Sequence, residues 1–241
     1  MAVNYPEITE TLSASRLRPY RRELTTNESG LPTAEAVKAY FLLKDISQHF
    51  FAPLQLVEVA MRNRIDAQVT NRRNRRDWYE SVPATVRTKD AVIRAKTLAA
   101  EEVTSPGPDD IVCRLTFGFW ANLLDSPHRD SAQPDHFIWD QHSFRRVFPG
   151  APPGLTIATV NDRLLKLNAF RNRLFHHEPM WKGKRVNSLQ TALGSMRAQY
   201  TDLCEVLGWL SPESNALLNA WSFPGRFSTA CDPERFNRTL W

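Results

Sequence analysis

Phe170-Arg171-Asn172-Arg173-Leu174-Phe175-His176-His177-Glu178-Pro179 closes a segment whose apolar residues recur at helical spacing. Ile157, Val160, Leu164, Leu167, Phe170 and Leu174 step by three and four, which predicts one buried stripe on a helix over 155–177. Pro179 has no amide hydrogen to continue a helix and biases Glu178 towards extended geometry. His176 and His177 therefore fall at a helix C-terminus, where unpaired carbonyls favour a cation by ~0.3–1 kcal/mol. Asn172 and His176 share a face, whereas Arg171 lies about 140° round an ideal helix from His176 and needs its long side chain to work beside it. A second arginine–histidine pair, Arg129 and His136, is interrupted by Pro134 and does not read as helical.

The same periodicity recurs outward from this stretch. A short helix is expected over 13–25, with Ser15 as cap and Leu17, Tyr20 and Leu24 inward, and a second, capped by Thr33, running to about Phe51. Pro53 kinks or restarts the chain, and Leu54, Val57, Met61, Ile65 and Val69 then make an apolar stripe over 53–72. Residues 84–103 read as a helix with Val86, Ile93 and Leu98 inward, and 109–124 as one central buried helix. Gly118 lets a neighbour approach this central helix closely. Leu189, Leu193, Met196, Tyr200, Leu203 and Leu207 form the most regular seam in the chain. Ser211-Pro212 starts a further helix, and the last twenty residues read as irregular, docking through Trp221, Phe223, Phe227 or Trp241. The pattern is all-α, a single helical bundle over 1–241. Its parts are N-terminal helices (13–72), central helices (84–124), an irregular insertion (125–154), the motif helix and its successor (155–208) and a tail (209–241).

Composition narrows the class. The chain has 241 residues and a formal charge of +5, with 24 arginines against 7 lysines. Arginine is the better bidentate phosphate ligand, so a polyanionic partner is one reading and codon bias the other. No apolar run approaches the ~20 residues that span a bilayer. Met1 to Glu7 lacks the basic and apolar regions of a signal peptide, and three scattered cysteines suit reduced thiols, which together predict a cytoplasmic protein. No cofactor motif is present. His128, His136 and His142 lack metal-ligand spacing, so no metal site is assigned.

Other chemistry-bearing residues cluster in two places. Asn71-Arg72-Arg73-Asn74-Arg75-Arg76 is either a backbone-binding patch for RNA, through Arg72, Arg73, Arg75 and Arg76, or a solvated helix end. Trp181-Lys182-Gly183-Lys184-Arg185 brings Lys182, Lys184 and Arg185 close to His176 along the chain. On the helix over 53–72, Glu58, Arg62 and Asp66 form either an ion-pair ladder or, with Asn63, a supporting shell for the motif.

Arg171-Asn172-Arg173-Leu174-Phe175-His176 resembles the HEPN signature, and the run through Pro179 resembles the abortive-infection (Abi-like) proteins of the D and F kinds. Leu56-Val57-Glu58-Val59-Ala60-Met61-Arg62-Asn63, Leu115-Thr116-Phe117-Gly118-Phe119-Trp120 and Gly208-Trp209-Leu210-Ser211-Pro212 fit the same family in the same order. The resemblance implies an all-helical, metal-independent endoribonuclease acting as a homodimer, a toxin in phage defence restrained by a small RNA or a protein antitoxin. His176 would be the acid/base residue, Arg171 the phosphate ligand and Asn172 its positioner, with Arg173 and His177 secondary. The RNA supplies its own nucleophile, the 2′-OH, so the protein need only move protons and stabilise charge on phosphorus. The alternative is a non-catalytic HEPN module that binds RNA or a protein partner.

Overall fold

A computed structural model describes residues 3–235, and among them every regular element is helical. The helices are α1 Tyr5–Leu12, α2 Ala14–Arg22, α3 Thr33–Gln48, α4 Phe51–Arg73, α5 Val86–Glu102, α6 Pro108–Val112, α7 Phe117–Asn122, α8 Gln141–Val147, α9 Ile157–Phe175, α10 Leu189–Leu210, α11 Pro212–Ala220 and α12 Phe223–Ala230. No helix of the described residues is long and apolar enough to cross a membrane. Where the sequence suggests one bundle, the chain divides into two compact units.

The first unit gathers residues 1–53, 170–203 and 216–241. Here α1 and α2 pack on α3. Its centre is aromatic: the Phe50 ring lies 4.8 Å from Phe170 and 5.3 Å from Phe227, and Phe227 stacks on Tyr200 at 3.8 Å. Contacts of this kind add about 0.5–1.5 kcal/mol to simple burial. Gly30 closes the link from α2 to α3 at φ +75, where a Cβ would meet the Arg21 carbonyl oxygen at 2.7 Å. The Leu31 amide donates to that same oxygen.

The second unit holds residues 54–169 and 204–215. Trp78, Phe117, Phe119, Trp120 and Phe148 are fully buried there. Three of its tryptophans satisfy their indole N–H groups internally: Trp78 donates to Asp66 (2.8 Å), Trp120 to the Leu115 carbonyl (3.2 Å) and Trp139 to the Leu123 carbonyl (2.6 Å). Trp78 and Tyr79 thus pack on the core, as their position after a helix suggests.

Several expectations need correction. Ser13, not Ser15, caps α2, accepting from the Arg16 amide, and an additional helix, α1, precedes it. Thr33 is the first residue of α3 rather than its cap, and Pro32 holds the cap position. The expected central helix is broken: α6 ends at Val112, and Thr116 caps α7 by accepting from the Phe119 amide. On α5 the inward face is Thr88, Val92, Ala95 and Ala99, while Val86, Ile93 and Leu98 stand exposed. Small residues let α5 lie close to its neighbours, and that close packing outweighs the pull of the larger apolar side chains. The supposedly irregular tail contains α12. Phe227 is buried in the first unit while Trp221 is 64% exposed, and Trp241 lies outside the described residues. Pro53 falls in the first turn of α4, consistent with a restart there. A Cβ on Gly118 would meet the Asn168 amide at 3.2 Å, the close approach expected of it.

Candidate functional site

The C-terminal end of α9 is closed by its own backbone. His177 adopts φ 57, in the left-handed region. Its amide donates to the Leu174 carbonyl (3.1 Å), and the Glu178 amide donates to the Arg173 carbonyl (2.8 Å). This is a Schellman closure, in which glycine is the usual occupant of the left-handed position. Holding a non-glycine residue there costs ~1 kcal/mol, a strain of the kind that collects at functional sites. The reversal leaves both His176 and His177 exposed.

The carbonyl of His177 is the anchor of the site. Arg16 of α2 donates to it through Nη1 at 2.9 Å, and Lys44 of α3 donates through Nζ, also at 2.9 Å. Two cations thus converge on one neutral oxygen, and each keeps further N–H groups for another acceptor. Burial, with the neighbouring Arg16 charge, pulls the Lys44 ammonium below its ordinary pKa. Tyr20, buried beneath, has its phenol pushed up, mainly by burial. Ser13, Ser15, Arg16 and Tyr20 face His176, His177 and Glu178 across a cleft of ≈370 Å³. Ser13 is itself held at φ 68 and ψ 145, so two strained non-glycine residues line the same cleft.

Arg171 does not line this cleft. It is half-buried, and its guanidinium sits 4.4 Å from the centre of the Phe175 ring, which meets Phe51 edge-on at 5.7 Å. Asn172 is exposed, and its backbone carbonyl accepts from the His176 amide. Arg173 turns away to the Lys182 carbonyl (3.0 Å), and Lys182 pairs with Glu23 (2.8 Å). Lys184 and Arg185 are exposed in the loop that follows.

Glu58, Arg62 and Asn63 belong to the second unit. There Arg62 donates to the Asn63 side chain (3.2 Å), and Asp66 is taken up by Trp78. The arginine run at the end of α4 is engaged within the chain. Arg72 pairs with Asp140 (2.6 Å), Arg75 with Asp77 (2.7 Å) and Arg76 with Asp109. Arg73 donates to the carbonyls of Pro134, Asp135 and Phe137. His128 and His136 serve the backbone, bonding at Nδ1 with the carbonyls of His136 and Val82. No group of three His, Cys, Asp or Glu side chains among the described residues is arranged to hold a metal ion.

Arg16 and Lys44 are the site residues that sequence reading missed. They stand 161 and 133 positions from His177, and no local spacing marks them.

No family model, no curated protein and no solved structure matches the chain.

Proposed function

We propose that the chain is an endoribonuclease of the HEPN kind, working in the cleft at the end of α9 as the toxin of a phage-defence system. The observation that supports this most is the exposed His176–His177 pair facing Arg16 across a cleft, with Lys44 anchored at the same carbonyl. In this reading His176 takes the proton from the RNA 2′-OH. The oxygen attacks the adjacent phosphorus, and the 5′-oxygen leaves with a proton, giving a 2′,3′-cyclic phosphate and a 5′-hydroxyl. Arg16 and Lys44 hold the non-bridging oxygens through their remaining N–H groups. His177 is the second imidazole, and a homodimer, as the resemblance implies, would add another pair. Arg171 and Asn172 complete the motif, Arg171 by fixing the helix end through Phe175. Restraint by a small RNA or protein antitoxin belongs to the same proposal.

One observation favours a second reading, a non-catalytic RNA- or partner-binding module: the Arg171 guanidinium rests on Phe175 rather than lining the cleft. Cleavage of a labelled structured RNA in EDTA separates the two. The ribonuclease reading expects cyclic-phosphate ends with wild type and a loss of about 100-fold or more in His176→Ala. Arg16→Ala and Arg171→Ala, run alongside, show which arginine serves the phosphate. RNA binding without cleavage by any form, unaltered in His176→Ala, would establish the binding module instead.

A further inference from the structure

Beside α5 the second unit carries a hollow of ≈610 Å³. One wall is a flank of α5 carrying Val86, Arg87, Asp90, Arg94 and Leu98, and Arg114, from the link between α6 and α7, forms part of the other. Val86, Asp90, Arg94 and Leu98 recur every four residues, with Arg87 beside them, so they share one side of the helix. Arg87, Asp90 and Arg94 are all exposed. Asp90 lies three positions from Arg87 and four from Arg94, spacings at which ion pairs form on a helix, yet among the described residues none of these side chains is paired. Arg114 is anchored instead: its guanidinium pairs with Glu102 and donates to the Asp110 carbonyl at 2.5 Å. Val86 is 75% exposed and Leu98 41%. A second hollow shares Asp90, Arg94 and Leu98 and reaches Ile93, which is 62% exposed.

We propose that this hollow binds a short acidic segment of a partner protein, with carboxylates on Arg87 and Arg94 and an aliphatic side chain seated on Val86 and Leu98. Charge complementarity carries the choice. Arg114 is already matched by Glu102, which leaves the guanidiniums of Arg87 and Arg94 against the single carboxylate of Asp90. A guanidinium takes a carboxylate through two parallel N–H bonds, so each of these arginines suits one acidic side chain. Asp90 then accepts from backbone N–H groups of the segment. A phosphate backbone would meet Asp90 as a like charge, and among the described residues no aromatic ring lines the hollow for a base to stack on. The exposed aliphatic side chains point the same way. Arginine is enriched at the centres of protein–protein contacts, where packed apolar surface excludes water. All of these residues belong to the second unit, whereas the cleft at the end of α9 belongs to the first, so the proposal goes beyond the ribonuclease reading and does not rest on it.

Fluorescence anisotropy of the full chain with short labelled peptides tests it, each peptide carrying two glutamates that flank a leucine at one of several spacings. At least one is expected to bind the wild type, and its counterpart with lysine in place of glutamate is not. Arg87→Glu and Arg94→Glu should each weaken binding of that peptide about tenfold or more, and the double variant should prefer the lysine counterpart. Val86→Ser combined with Leu98→Ser should weaken binding severalfold with its salt dependence unchanged. These side chains are all exposed, and thermal melts check that folding is retained. A wild type that binds none of the glutamate peptides would overturn the proposal, as would arginine variants that bind like wild type. Polyuridylate RNA bound by the wild type and lost from the two arginine variants, without peptide binding, would assign the hollow to nucleic acid instead.

Discussion

Two helix ends in this chain are built alike and used differently. Both α4 and α9 finish in arginine-rich sequence, and both close on a non-glycine residue in the left-handed region, Asn74 at φ 52 and His177 at φ 57. Both reach back five residues along the backbone, the Arg75 amide to the Thr70 carbonyl and the Glu178 amide to the Arg173 carbonyl. At the end of α4, Arg72, Arg73, Arg75 and Arg76 are all consumed by acids and carbonyls of their own unit. At the end of α9 the imidazoles stay outside, and cations from α2 and α3 are brought to the main-chain carbonyl of His177. A run of arginines is therefore a poor guide to a binding surface when acids and open carbonyls lie within reach. A turn that points polar side chains outward, with imported charge behind it, is the better one.

The comparison breaks first at Arg73. Its guanidinium ties three carbonyls of the 134–137 segment, and each is a charge-assisted bond. Arg73→Ala is expected to cost about 2 kcal/mol of stability in urea unfolding, without a change in RNA cleavage at a permissive temperature. Equal losses of stability from Arg75→Ala, whose pair with Asp77 lies in solvent, would show that the run acts as one cluster.

The second test concerns the interior histidine. His128 is wholly buried, and its Nε2 meets no hydrogen-bond partner. Burial holds its imidazole below the ordinary pKa, chiefly by desolvation. Below pH ~6.5 the unfolded chain gains a proton there that the folded chain refuses. Stability is thus complete above that pH and declines as pH falls towards the folded value. Lowering pH from about 7.5 towards the folded value should therefore lower the urea midpoint. His49, shifted the same way mainly by burial, adds to the slope. His128→Gln should flatten the pH dependence of the urea midpoint. An unchanged slope would assign the effect to His49 alone.

The smallest effect sharpens the likeness of the two turns. His177→Gly relieves left-handed strain and is expected to gain about 0.5 kcal/mol after the added chain entropy is deducted. Asn74→Gly should gain less, because asparagine tolerates that region. Thermal melts of both variants would measure the difference, and a larger gain at Asn74 would contradict the strain assigned to His177.

The long helices were legible because their stripes are long: Leu54 to Val69, Val160 to Leu174 and Leu193 to Leu207 all carry buried residues at the expected steps. Reading failed where two local signals competed. Thr116 is a capping residue inside an apolar run, and the run outweighed it. On α5 two faces shared the helical period, and residue size suggested the wrong one. The cleft was half legible. His176 and His177 follow from Pro179 and the end of a stripe, but Arg16 and Lys44 are joined to them only by packing of α2 and α3.

The anchor at position 177 is a main-chain oxygen, and that has a consequence for how this surface can change. Any residue that tolerates the left-handed turn still presents the acceptor, so the exposed side chain can change while the tether to the N-terminal helices persists. Arg16 and Lys44 have no such freedom, since each contributes a side-chain donor with no backbone substitute. Change of side chain is thus open at the exposed position and constrained at two positions that do not adjoin it in sequence.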